Sequence, residues 1–261
     1  MQSQADSKKY REKVMIPITD NLDNFPAQKT PLVTYCLIGL ILGIFIWELH
    51  LGTKQELTPM LLTWGLVPHR ITIVTQDVLT SGNPAAIVAW FLVATSLIKA
   101  IFLHGSFAQV LGNLIFLWVF GRRVESCLGR GKFILFYLGI GIILGLGQIL
   151  VDPQLDTPLV GANGAIAAII GAYLITFPRA KIYTILPLGI VFIPLELPAL
   201  FFGFWWFVQQ MTYGIGLLAP NIQINSGLIA YWSHGLGMVF GAGIMKIINQ
   251  KVKSNLGDKS I

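Results

Sequence analysis

The sequence predicts an all-α, polytopic membrane protein whose six apolar helices pack as one bundle. Three observations carry this expectation. The 261-residue chain is 54% hydrophobic and only 11% charged, far more apolar than a soluble domain. Its apolar residues fall into blocks close to the ~20 residues that a helix needs to cross a bilayer. Its basic residues gather on alternate connections, as they do on loops held in the cytoplasm. The blocks are continuous rather than alternating, which argues against a β-barrel.

Taken in order, residues 1–30 are polar and mixed in charge. They read as a cytoplasmic tail without the compact apolar core and small-residue cleavage site of a signal peptide. The first span runs from Leu32 to Leu51, with Trp47, Glu48 and His50 at its end suited to the membrane interface. Residues 52–103 form a long connection, punctuated by turn signals at Gly65-Leu66-Val67-Pro68 and Gly82-Asn83-Pro84. Inside it, 85–103 is long enough to span but is expected to lie in the interface. The second span covers Phe107 to Phe120 with its flanks, the third Phe133 to Val151 and the fourth Val160 to Phe177. The fifth runs from Pro194 to Met211 and the sixth from Leu228 to Ile248. Residues 182–193, apolar but broken by Pro187 and Gly189, are left without an assigned element. The membrane domain therefore covers 31–250, and 251–261 is a basic cytoplasmic C-terminal tail.

Charge supports the count of six. Of the 18 basic residues, only Lys54, Arg70 and Lys99 fall outside the first tail, the connections after the second and fourth spans, and the C-terminal end. Six spans place all of those basic segments on one side, with both termini cytoplasmic, in a bacterial-type cytoplasmic membrane. A crossing at 85–103 would break the pattern. The same distribution accounts for the net charge of +6 without nucleic acid as a partner. Cys36 and Cys127 are expected as free thiols, and no metal or other cofactor is expected.

Polar side chains at membrane depth are costly and mark partners or wet cavities. Gln109 and Asn113 stand four apart on the second span, hence on one helical face. Asn163 opens the fourth span, and His234 lies a few residues into the sixth. Interhelical hydrogen bonding is the plain role for each taken singly. Small residues shift the balance: Gly164, Ala168 and Gly171 line the fourth span, and Gly237 with Gly241 form G-x-x-x-G on the sixth. Such stripes let helix backbones approach closely, which would bring Asn163 and His234 within reach of each other.

Assembled in order, these features resemble the rhomboid family of intramembrane serine proteases. The resemblance rests on His104-Gly105, Asn113-Leu114, Phe116-Leu117-Trp118-Val119-Phe120-Gly121 with Val124-Glu125, and Val151-Asp152-Pro153. It continues through Pro158-Leu159-Val160-Gly161-Ala162 with Gly164-Ala165-Ile166, Gly171-Ala172-Tyr173, Phe177-Pro178-Arg179-Ala180 and Glu196-Leu197-Pro198, and ends at Ser233-His234 with Gly237. It implies a six-helix bundle, a serine nucleophile on the fourth span, a histidine base on the sixth, and a second-span H-x-x-x-N motif that stabilises the oxyanion. Residue by residue, His234 matches the base and Asn113 the motif's asparagine. Asn163 stands where the serine belongs and Gln109 where the motif's histidine belongs.

These two departures imply a pseudoprotease that binds transmembrane segments of client proteins within the lipid bilayer and does not cut them. The alternative is an active intramembrane serine endopeptidase with an unorthodox nucleophile, and a weaker third class is a small transporter or channel. Ser106 and Thr157 sit in loops. Ser233, about 100° round the helix from His234, is expected to point elsewhere.

Overall fold

The structure, a computed structural model, describes residues 15–22, 30–53, 56–188, 191–216 and 227–257. Its centre is helix α9 (Asn163–Thr176), on which every residue from Ala165 to Leu174 is buried. A helix buried on all sides needs neighbours that approach closely, and the glycines supply them. Helix α11 (Gly227–Gly257) packs along α9. A Cβ on Gly237 would collide with the Gly164 carbonyl, one on Gly241 with that of Ala168, and one on Gly171 with that of Met238. The two helices therefore touch backbone to backbone, as the small-residue stripes predict.

The remaining helices surround this pair. Helix α1 (Leu32–Thr53) buries Thr34, Leu37, Ile41, Phe45 and Glu48, one face at three- and four-residue spacing. Helix α8 (Arg130–Val151) does the same with Phe133, Phe136, Tyr137, Ile140 and Leu144. These two 22-residue helices are each long and apolar enough to cross a bilayer. The second-span stretch forms α6 (Phe107–Phe116), a wide π-turn at Leu117–Gly121, and α7 (Arg122–Leu128). There Phe120 packs against Tyr173 of α9 and Phe202 of α10 (Ala199–Gly216), with ring centroids 4.9 and 5.9 Å apart. On α7 the buried Glu125 carboxylate accepts the Val33 and Thr34 N–H groups at 3.0 and 2.7 Å. It thereby satisfies first-turn donors of α1 that have no partner inside the helix.

The long connection is helical but does not form one rod. It comprises α2 (Leu57–Trp64), α3 (Pro68–Thr80), α4 (Pro84–Ala94) and the single turn α5 (Ser96–Lys99). Asn83 caps α4 through the Ala85 N–H at 2.9 Å, with proline at the first helical position, a favoured start. At 11 residues α4 rises about 16 Å, roughly half the ~30 Å hydrocarbon thickness.

Four features differ from the sequence expectation. Residues Ile16–Asp20, expected in a tail, form strand β1. Residues 182–198 fold as the antiparallel hairpin of β2 (Lys181–Leu188) and β3 (Val191–Pro198), giving a three-stranded sheet in the order β1-β2-β3. The fifth helix consequently starts at Ala199, not Pro194. Prolines at 187, 194 and 198 explain this, since each removes an N–H and clashes within a helix interior. The last helix also continues past the expected tail boundary, to Gly257.

Candidate functional site

Helix α9 begins at a cavity of about 80 Å³. Asn163 and His234 both line it, joined by Gly161, Gln148 and Ser233. The close α9–α11 packing makes this possible: with a glycine at each close approach, the first residue of α9 and a residue about two turns into α11 share one small space. His234 and Ser233 are both buried. The placement of Ser233 corrects the sequence expectation. Its helix skirts the cavity, so two consecutive residues reach its wall although they lie on different sides of the wheel.

The loop before α9 is shaped by Gly161, whose φ of +117° is a conformation that L side chains rarely adopt. Its N–H donates to the Ala100 carbonyl at 2.8 Å. A Cβ here would strike the Gln109 side chain and also approach Asn163 Nδ2. Gly161 thus sits between Gln109 and Asn163. Above it, Leu66 and Leu159 exchange backbone hydrogen bonds of 3.1 and 2.8 Å and roof the cavity. Beside this bridge, His69 Nδ1 lies 2.6 Å from Asp156 Oδ1.

Gln109 works as a staple. Its Oε1 accepts the Gly105 N–H at 2.9 Å, and its Nε2 donates to the Val160 carbonyl at 2.9 Å. Both ends of the amide are used in joining the loop before α6 to the loop before α9. Ser106, a loop position by sequence, accepts the Gln109 N–H at 3.2 Å and caps α6.

Asn113, one turn along α6, is buried and engaged differently. Its Nδ2 lies 3.0 Å from His104 Nε2. His104 Nδ1 is 3.2 Å from the Phe102 carbonyl, which can only accept, so the proton belongs on Nδ1 and Nε2 accepts from Asn113. Burial, opposed only partly by the Phe102 bond, lowers the His104 pKa from 6.5 to about 4. The imidazole is therefore neutral at pH 7 and keeps its acceptor lone pair. The backbone N–H of His104 donates to Glu48 Oε1 at 2.9 Å, tying this assembly to α1.

The four sequence-derived positions are thus brought to one end of the bundle, in two groups. Asn163 and His234 share the cavity, with Gln109 abutting them through Gly161; Asn113 is held by His104. Sequence reasoning gave no chemical role to His104 or Gln148. His104 entered the sequence reading only through the His104-Gly105 match to the family, which does not by itself name a partner nine residues on.

The described residues form a helical bundle around a buried central helix, and the cavity at that helix's N-terminus carries Gln148, Asn163, Ser233 and His234 on an otherwise apolar wall. The chain matches the rhomboid domain model over residues 85–251. It belongs to the rhomboid family and is an integral membrane protein. It is 35% identical over 109 residues to the putative rhomboid protease YdcA of Bacillus subtilis (strain 168), covering 41% of this chain and 52% of that protein. It is 30% identical over 145 residues to the rhomboid protease GluP of the same organism, covering 55% and 24%. It is 28% identical over 137 residues to the rhomboid protease GlpG of Yersinia pseudotuberculosis serotype I (strain IP32953), covering 50% and 45%. The matched stretches span about half or less of the length of these relatives.

Proposed function

We propose that this chain is a noncatalytic rhomboid-fold protein that binds transmembrane segments of client membrane proteins without cutting them. One observation supports the proposal: Asn163, which we read as standing where a rhomboid serine would be, lines the same cavity as His234. The amide nitrogen's lone pair is delocalised and supplies no oxygen nucleophile, and loss of the nucleophile costs a serine protease on the order of 10⁶-fold in turnover. The engagement of Gln109 adds support. An oxyanion donor must be aimed at where charge develops, whereas the Gln109 amide is oriented by its bonds to Val160 and Gly105, which commit one of its two N–H donors to Val160.

The second reading, an active serine endopeptidase with an unorthodox nucleophile, is favoured by Ser233, which lines the same cavity as its neighbour His234. The two are separated by incubating the purified protein in liposomes with a rhomboid substrate, alongside a fluorophosphonate probe and a photocrosslinker on the substrate helix. Crosslinking with no product and no labelled serine is the expected result. Cleavage that His234→Ala abolishes would overturn the proposal, and its abolition in the separate Ser233→Ala variant would assign the nucleophile. Cleavage that persists in His234→Ala would mark a contaminating protease.

The proposal includes a topology of six spans within residues 31–250, both termini cytoplasmic, in a bacterial-type cytoplasmic membrane. Reporter fusions at Asp152–Asp156 should read external and fusions at Gly129 internal. An internal signal at the first site would sink this topology.

A further inference from the structure

The β2–β3 hairpin changes character halfway along. Near its base the cross-strand partners are Lys181 with Pro198, Ile182 with Leu197, Tyr183 with Glu196 and Thr184 with Leu195. This half carries polar groups, including the Lys181–Glu196 ion pair at 2.8 Å, and is flanked by β1, whose pairing stops at Ile185. The next four pairs are Ile185 with Pro194, Leu186 with Ile193, Pro187 with Phe192 and Leu188 with Val191. No polar side chain occurs among these eight residues, so both faces of the ribbon are apolar. A sheet bathed in water on one side carries polar residues on that side. Here Val191, Phe192 and Ile193 are 55%, 63% and 36% exposed.

We propose that this distal ribbon rests in the headgroup–acyl boundary of the bilayer that the helices cross, on the face opposite the cavity. Three observations favour lipid as its occupant. First, α9 enters the hairpin and α10 leaves it, and Ala199 N–H donates to the Ala180 carbonyl at 2.8 Å. The two feet of the hairpin are therefore fixed together at the membrane surface. Second, α10, which follows the hairpin, exposes Leu200, Phe201 and Phe204, part of the surface that an integral membrane protein offers to lipid. Third, Pro187 and Pro194 strip two N–H donors from the ribbon. This lowers the cost of leaving water and impedes addition of a further strand from a second copy. The remaining open edges confine the ribbon to the boundary, because unpaired backbone groups are excluded from the hydrocarbon core. Arg179 at the base suits anionic headgroups.

The test uses the full chain with Cys36→Ser and Cys127→Ser, reconstituted in phosphatidylcholine–phosphatidylglycerol nanodiscs. An environment-sensitive fluorophore is placed on Val191→Cys, on Phe192→Cys or, as a comparator at the base, on Glu196→Cys. Spin-labelled lipid with its nitroxide near the headgroup should quench the two ribbon labels strongly, and aqueous iodide should quench them about threefold less than the comparator, as for interfacial groups. Ribbon labels as open to iodide as the comparator and blind to the spin label would overturn the proposal. Shielding from both quenchers that grows with the number of copies per disc would overturn it in favour of a protein partner. Two ribbon positions, each checked for unchanged thermal unfolding, keep the outcome independent of any one variant that fails to fold.

Discussion

At the scale of single residues, Asn163 and His104 make opposite demands on chemistry. On the proposed reading, Asn163→Ser gives His234 a hydroxyl to deprotonate, while Gln109 stands in place of a donor whose loss in other proteases costs roughly 10²–10³-fold. Asn163→Ser alone should therefore yield at best weak turnover of a rhomboid substrate, and Asn163→Ser with Gln109→His should exceed it in the same assay. The Gln109→His change also removes the staple from Gly105 to Val160, so the gain should come with a lower unfolding temperature. His104 supplies a pH dependence whose sign is fixed by burial. Its pKa falls from 6.5 to about 4, so its stabilising contribution is complete above about 6.5 and lost as pH drops through about 4. Integrated over that interval, the effect is at most about 3 kcal/mol. Thermal unfolding in detergent between pH 7 and pH 4 should fall less steeply for His104→Gln than for the unaltered protein. Equal slopes would show that the pH dependence does not come from His104.

At the scale of elements, the α9–α11 contact is the most constrained in the molecule. Gly241 faces the Ala168 backbone with no room for a Cβ, whereas Gly243, two residues along the same helix, has nothing within 4 Å of that position. Helix propensity favours alanine over glycine by about 1 kcal/mol at either site. At Gly241 that gain is overwhelmed, because the obstructing atom is a carbonyl oxygen and the helices must separate; overpacking of this kind costs typically about 1–3 kcal/mol or more. Gly241→Ala should lower the unfolding temperature and Gly243→Ala should leave it unchanged or raise it. A similar loss in both variants would contradict the backbone-to-backbone packing. The G-x-x-x-G spacing of Gly237 and Gly241 was legible in the sequence, but Gly243 lies only two residues beyond it, and its freedom was not.

At the scale of the whole molecule, the N-terminal strand is tied into the bundle by a buried ion pair. Asp20 on β1 accepts from Arg123 Nε at 3.1 and 3.0 Å and from Arg123 Nη2 at 2.6 Å, and the Tyr173 hydroxyl of α9 donates to it at 2.8 Å. Asp20 is fully buried and Arg123 nearly so. Removing one partner of such a pair strands the other charge and costs about 3–5 kcal/mol. Asp20→Ala should therefore destabilise the entire protein, measured as a large drop in unfolding temperature, and not merely loosen its N-terminus. If the drop is no greater than for an exposed acid such as Asp77→Ala, the strand is not integral to the fold.

The sequence by itself determined the helical class, the family motifs and the apolar blocks, and it drew attention to Asn163 and His234 as polar residues at the ends of glycine-striped helices. These are local properties, carried by composition, by the 3.6-residue period and by residue types in a fixed order. Only the tertiary structure decided what each polar group is bonded to. Asn113 turns to His104, Gln109 staples two loops, Asp20 is buried rather than tail-like, and Ser233 shares the cavity with His234. A lone polar residue in an apolar stretch declares that it needs a partner, because an unpaired buried group is costly. It does not declare which one, since the partners lie on other helices whose rotation and separation are set by where glycines allow the backbones to meet. The strand at Ile16–Asp20 was hidden for the same reason: five residues become a strand here only because Lys181–Leu188 lies alongside to pair with them.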